Sequence, residues 1–300
     1  MRNLLLTAVA LLAAYAAWLA LLYAGQRSMM FPGAGIEFGP VPEPPGGEAE
    51  VIAMPASFGR VRGYFLPAAT AGHAPAVVYL HGNAELAAHN LALLRPLAEL
   101  GLHVLVVEYP GYAGNDGRPG RDSLDEAARV GFDWLARRAD VDAARIVAMG
   151  RSIGAGPAAA LAGKRPIAAL VLLSPFAALD GFAHRMGAPA FLIRDRWDNA
   201  ARLRDYRGPV LLFHGRHDGI IPFAHSRALV RAAPHARLET LDCGHNDCPY
   251  FDPAFFDTLA AFLQQAGVLG ATPAAPRQGG RRRGRSEGSA LKADSSLRSE

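Results

Sequence analysis

Between positions 76 and 241, short apolar runs alternate with longer segments of mixed polarity. "AVVYL" (76–80), "HVLVVEY" (103–109), "RIVAM" (145–149), "AALVLLS" (168–174), "PVLLFH" (209–214) and "RLETL" (237–241) are the runs. Most are continuous rather than alternating, which predicts strands buried on both faces. The intervening segments 86–100, 123–138, the stretch after Ser152, 223–233 and 253–266 read as helices. Strands alternating with helices predict an α/β domain, its central sheet mostly parallel and covered by helices on both faces. Ligands of such sheets gather beyond the carboxyl ends of the strands. Every candidate residue is therefore judged by whether it falls just past a strand.

The flanks follow other patterns. Leu4 to Gly25 carries no charge over 22 residues, about the length a helix needs to cross ~30 Å of hydrocarbon. Trp18 and Tyr23 fall toward its far end, where amphipathic rings favour the interface. The run exceeds a signal-peptide core and lacks a small-x-small cleavage site, so a retained anchor over 1–26 is expected rather than a cleaved leader. The expected orientation puts the N-terminus inside and the bulk of the protein on the outer, extracytoplasmic side. A Pro/Gly-rich linker is expected over 27–50, the α/β domain over 51–268 and a disordered basic tail over 269–300.

Composition changes this picture little. The 300 residues are 51% apolar, enough for one large domain. The formal net charge of +4 resides wholly after Asp257, where seven Lys or Arg face three acids. The rest is neutral and has no basic stripe with interleaved aromatics, so no nucleic-acid partner is expected. Cys243 and Cys248 lie in "CGHNDC" without any CxxC pair, which argues against a zinc ribbon or redox dithiol. Two free thiols are expected, a local disulfide being the alternative in an oxidising compartment.

The chemistry begins at "VAMGRSIGAGPAAA" (147–160). Ser152 follows a predicted central strand and precedes a small-residue helix. A sharp strand-to-helix turn thrusts the hydroxyl above the sheet and demands residues without side chains at Gly150 and Gly154. It also aims the Ile153 N–H, at a helix N-terminus, toward charge developing nearby. A serine hydroxyl needs a base, and the base an orienting acid. Asp218 in "VLLFHGRHDGIIP" and His245 in "RLETLDCGHNDC" each follow a later strand, in the order such an elbow requires.

A second oxyanion donor is expected from "VVYLHGNAEL", where a strand ends before Gly82 and Asn83 presents its N–H at the same edge. His81 is read as a buttress of that loop. His214 and His217 beside Asp218 faintly suggest a metal, but no further ligands accompany them. Asp242, Asp247 and Ser174 are read as structural, and His225 and His235 as surface residues.

"HGN", "GRSIG", "HGRHDGIIP" and "DCGHND" together resemble the α/β-hydrolase superfamily over roughly 51–267. With the single apolar N-terminal segment, "HGNA", "GRSIG" and "IRDRWDN" are similar to a branch of membrane-tethered serine hydrolases that includes acyl-protein thioesterases and lysophospholipid lipases. The resemblance implies Ser152 as nucleophile, Asp218 as acid, His245 as base, Asn83 and Ile153 as oxyanion donors, and no metal or organic cofactor. Glu108 stands where members often carry Asp, and the cysteines around His245 are unusual. The expected activity is hydrolysis of a carboxylic ester or thioester, from a small molecule or an acylated protein. A tethered non-catalytic binding module and a serine peptidase are the alternatives. Substrate choice is expected to lie between Ser174 and Arg207, where Arg194–Asp195–Arg196 reads as a salt-bridged knot rather than a headgroup clamp.

Overall fold

The computed structural model describes residues 1–35, 49–70, 72–233 and 235–270. The expected linker between 36 and 48 and the tail from 271 lie outside the described residues. Eight strands form one sheet in the order β1-β2-β4-β3-β5-β6-β7-β8. They are β1 (Glu50–Ala56), β2 (Gly59–Leu66), β3 (Ala74–Leu80), β4 (His103–Val107), β5 (Val141–Arg151), β6 (Ala169–Leu173), β7 (Val210–Gly215) and β8 (Ala236–Leu241). From β4 onward along the sheet every pairing is parallel, while β1 and β2 join antiparallel at one edge.

Alternation within the central strands shows why their sequences are unbroken apolar runs. Ala76, Val78 and Leu80 of β3 feed one core and Val77 and Tyr79 the other. One core takes in the inner faces of α3 (Arg121–Ala136) and α4 (Ala155–Ala162), the other those of α2 (Leu91–Glu99) and α8 (Pro253–Gln265). Every side chain of β3, β4, β6 and β7 is thus buried, as are Ile146 to Gly150 of β5, and period-2 polarity has no place there.

The hairpin of β1 and β2 is absent from the expected elements. Its signal in the sequence is confined to the start of β2, where buried Val61 stands between Arg60 and Arg62; in β1 the outward Val51, Ala53 and Pro55 are apolar like the buried Ile52 and Met54. Two further short helices, α5 (Asp180–Arg185) and α6 (Asn199–Asp205), lie in the segment after β6. Asp198 caps α6 by accepting the Ala201 N–H at 2.8 Å. Between Phe223 and Ala233 stands α7 (Ala224–Ala232), as the pattern predicts.

The N-terminal helix α1 runs from Arg2 to Met30, four residues past the expected anchor boundary. It has 29 residues and contains an 18-residue window of mean hydropathy 2.2, so it is long and apolar enough to cross a membrane. It ends where Phe31 plugs into the core beside Trp197, ring centroids 6.5 Å apart. Trp197 in turn lies on Gly156 of α4 and donates its indole N–H to Asp125 at 2.8 Å. The first residues expected for a linker are therefore helix and core.

Candidate active site

Ser152 stands directly after β5 with φ of +53°, the left-handed region that a side chain occupies only under strain. Its two glycines are needed for closeness, not for φ. A Cβ on Gly150 would meet the Gly154 carbonyl oxygen at 2.3 Å, and one on Gly154 the Leu80 carbonyl oxygen at 2.1 Å. The turn is possible because helix and strand backbones touch there.

The two later loops converge on this serine. His245 Nε2 lies 3.0 Å from Ser152 Oγ, and His245 Nδ1 lies 2.6 Å from Asp218 Oδ2. With the ring proton on Nδ1 and donated to Asp218, Nε2 is free to accept from the serine hydroxyl. The other Asp218 oxygen accepts the N–H groups of Ile220 at 2.9 Å and Ile221 at 2.7 Å. Burial alone would raise the Asp218 carboxyl pKa. The hydrogen bonds from His214, His245 and the Ile221 amide outweigh it and hold the group well below the usual carboxylate range.

His214 is fully buried and lies behind Asp218. Its Nε2 lies 2.8 Å from the Ile221 carbonyl and 3.2 Å from Asp218, while Nδ1 meets Ser226 Oγ at 2.6 Å. His217 turns away to Asp242 on the surface, 2.8 Å distant. Asp247 accepts the Gly244 N–H at 2.7 Å and shapes the turn before His245. Ser174 bonds to the Tyr250 hydroxyl at 2.9 Å. His225, read from sequence as a surface residue, is half-buried: it accepts the Ala177 N–H and stacks on Phe182, because the segment after β6 folds back over it. His235 is exposed. The free-thiol expectation for Cys243 and Cys248 is overturned, since the two form a disulfide across the His245 loop, Cα atoms 5.0 Å apart.

Asn83 and Ile153 both border the cavity above Ser152. The Asn83 loop is braced from beneath. His81 Nε2 meets Glu108 at 3.0 Å, Tyr109 donates to the His81 carbonyl at 2.6 Å, and Tyr112 donates to the Asn83 carbonyl at 2.8 Å. Glu108 also accepts the Ala87 and Tyr109 N–H groups, so its longer side chain sits fully buried yet fully used. Burial disfavours a charged His81, but the hydrogen bond and charge of Glu108 prevail and raise its pKa.

The cavity has a volume of about 280 Å³ and is almost wholly apolar. Phe176, Leu179, Phe182 and Leu192, from the segment expected to cover the nucleophile, form one side. Asp195 is buried and accepts Arg27 through two oxygens and the Arg121 N–H at 2.8 Å. Arg196 pairs with Asp180 and Arg194 lies over Tyr23, so the salt bridges of the Arg194–Asp195–Arg196 stretch run to other segments and not within it. A further part of the lining belongs to α1, a role no pattern in the sequence announces.

Residues 75–199 match the alpha/beta hydrolase fold family. An uncharacterized protein of Mycobacterium tuberculosis is 37% identical over 255 residues, covering 82% of this chain and 89% of the relative. The uncharacterized protein YfhR of Salmonella typhimurium is 27% identical over 251 residues, covering 76% and 85%. Among solved structures, the propionate-bound Thermogutta terrifontis esterase Est2 superposes with a TM-score of 0.62 at 19% identity, covering 77% of this chain and 98% of that one. The Pyrococcus furiosus esterase PF2001 does so with a TM-score of 0.60 at 18% identity, covering 73% and 91%. With the sheet order, the glycine-flanked elbow and these likenesses together, the chain belongs to the alpha/beta hydrolase family.

Proposed function

We propose that the protein is a membrane-anchored serine hydrolase that cleaves carboxylic esters or thioesters through an acyl-enzyme. The observation that carries this reading is the unbroken chain from Ser152 Oγ, which borders an apolar cavity, through the His245 ring to Asp218, with links of 3.0 and 2.6 Å. Ser152 Oγ attacks the acyl carbon as its proton passes to His245 Nε2. Asp218 holds the imidazole in the accepting tautomer and faces the imidazolium that forms. The Ile153 and Asn83 N–H groups meet the tetrahedral oxyanion. When the oxyanion collapses, the bond to the leaving oxygen or sulfur breaks and that atom takes the proton from Nε2. Water, deprotonated by the same nitrogen, then releases the acid and restores Ser152.

The near absence of polar groups in the cavity suits an acyl chain better than a sugar or a peptide side chain. The apolarity of α1 supports the anchor, and the Cys243–Cys248 disulfide supports an extracytoplasmic domain. The experiment is hydrolysis of a p-nitrophenyl ester and labelling by a fluorophosphonate, wild type beside Ser152→Ala. Ser152→Ala is expected to lose both; undiminished activity in this variant would sink the reading.

A further inference from the structure

Beside the covering segment, a further wall of the cavity is made by the helix that a tether would need only as an anchor. Leu19, Leu22, Tyr23, Gln26, Met29 and Met30 border the same cavity as Ser152. Their spacing of three and four residues is one continuous stripe of a helix. Leu21, on another face of the helix, is 65% exposed and does not border the cavity.

Polar links fix which face of α1 looks at the serine. Tyr15 donates to the Gly187 carbonyl at 2.8 Å, and Trp18 to the Met186 carbonyl at 3.1 Å. Gln26 donates to Leu192 O at 3.1 Å and accepts the Arg194 N–H at 2.7 Å. Arg27 chelates Asp195 one turn before the helix ends, and Met30 O accepts the side-chain amide of Asn83 at 3.3 Å. From Tyr15 to Met30 these ties run along ~22 Å of helix at 1.5 Å per residue. A passive tether in lipid gains nothing from being locked in rotation at five positions. A wall of a binding site must be.

The cavity's 280 Å³ is at the lower edge of the ~300–1,000 Å³ that small-molecule sites span, which suits one acyl chain rather than two. We propose that α1 is a specificity-determining wall of the acyl site, its Leu19–Leu22–Met30 stripe selecting a substrate with a single long acyl chain. This rests on the serine-hydrolase reading above.

The test uses the full chain in detergent micelles and a series of p-nitrophenyl esters from acetate to palmitate. Rates are normalised to the fraction labelled by a fluorophosphonate. Wild type is expected to prefer longer acyl chains over acetate. Leu22→Trp is expected to shift the optimum to shorter chains, lowering kcat/KM on the longest esters about tenfold relative to the shortest. Leu22→Ala is expected to shift it the other way, and Leu21→Trp to keep the wild-type profile. If Leu22→Trp yields no labelled protein, Leu22→Ala decides alone. Labelled Leu22 variants with an unshifted profile, or a wild-type preference for acetate, overturn the proposal while leaving the hydrolase reading intact. Failure of wild type to label at all takes down the hydrolase reading itself, and this proposal with it.

Discussion

Arg27 closes on Asp195 through two parallel hydrogen bonds, Nε to Oδ2 at 2.7 Å and Nη2 to Oδ1 at 3.0 Å. The pair fastens the end of the N-terminal helix to the segment lying over Ser152. Asp195 is nearly inaccessible whereas the Arg27 side chain is 40% exposed, so solvent screens part of the attraction.

Removing the guanidinium leaves the buried carboxylate with the Arg121 N–H alone. Arg27→Ala is expected to destabilise the protein by about 1–2 kcal/mol, below the cost of breaking a fully buried pair. Arg27→Lys is expected to recover only part of that, because an ammonium cannot make the parallel fork. Thermal unfolding in detergent checks both.

Gly154→Ala is expected to abolish fluorophosphonate labelling, with destabilisation of about 3 kcal/mol or more. Its Cβ would lie 2.1 Å from the Leu80 carbonyl oxygen, and neither backbone can withdraw without opening the elbow. Gly181→Ala, in α5 with nothing within 4 Å of its Cβ, is expected to keep labelling and to gain up to about 1 kcal/mol.

Because the folded-state pKa of Asp218 is depressed, its charge stabilises the protein above its unfolded pKa of about 3.9. That contribution is lost as pH falls through the lower folded value. The stability difference between wild type and Asp218→Asn is therefore expected to be flat above about pH 5 and to shrink below about pH 4. Chemical denaturation across pH 3–7 reads it. A difference that grows toward acid would contradict the hydrogen-bonded carboxylate.

The Cys243–Cys248 bond closes a short ring around His245. Replacing both cysteines by serine is expected to cost about 2 kcal/mol, as the chain-entropy model gives for so small a loop. Turnover is expected to fall as the imidazole loses its fixed position. Alkylation of the unreduced, denatured protein is expected to find no free thiol.

Asp218 shows how far the linear pattern reaches. Asp218 and His245 were legible because each follows an apolar run by a few residues, and a parallel sheet delivers all such positions to one edge. Ser152 was legible because two glycines can be required by backbone contact alone. The role of His214 behind Asp218 was not, since a histidine at the end of a strand carries no mark of the direction its ring will take. The β1–β2 hairpin left only a faint signal, Val61 between Arg60 and Arg62, because the outward residues of β1 are themselves apolar.

The sequence by itself determined the layered sheet, the elbow and the order of the three polar side chains, because periodicity and loop position are local properties. Only the tertiary structure decided that Leu22 and Gln26 face the serine, that Asp195 meets Arg27 across 168 positions and that the two cysteines join. A helix apolar on every side does not declare which side will be used. That choice is made by hydrogen bonds to carbonyls of Met186, Gly187 and Leu192, whose places exist only once the chain has folded.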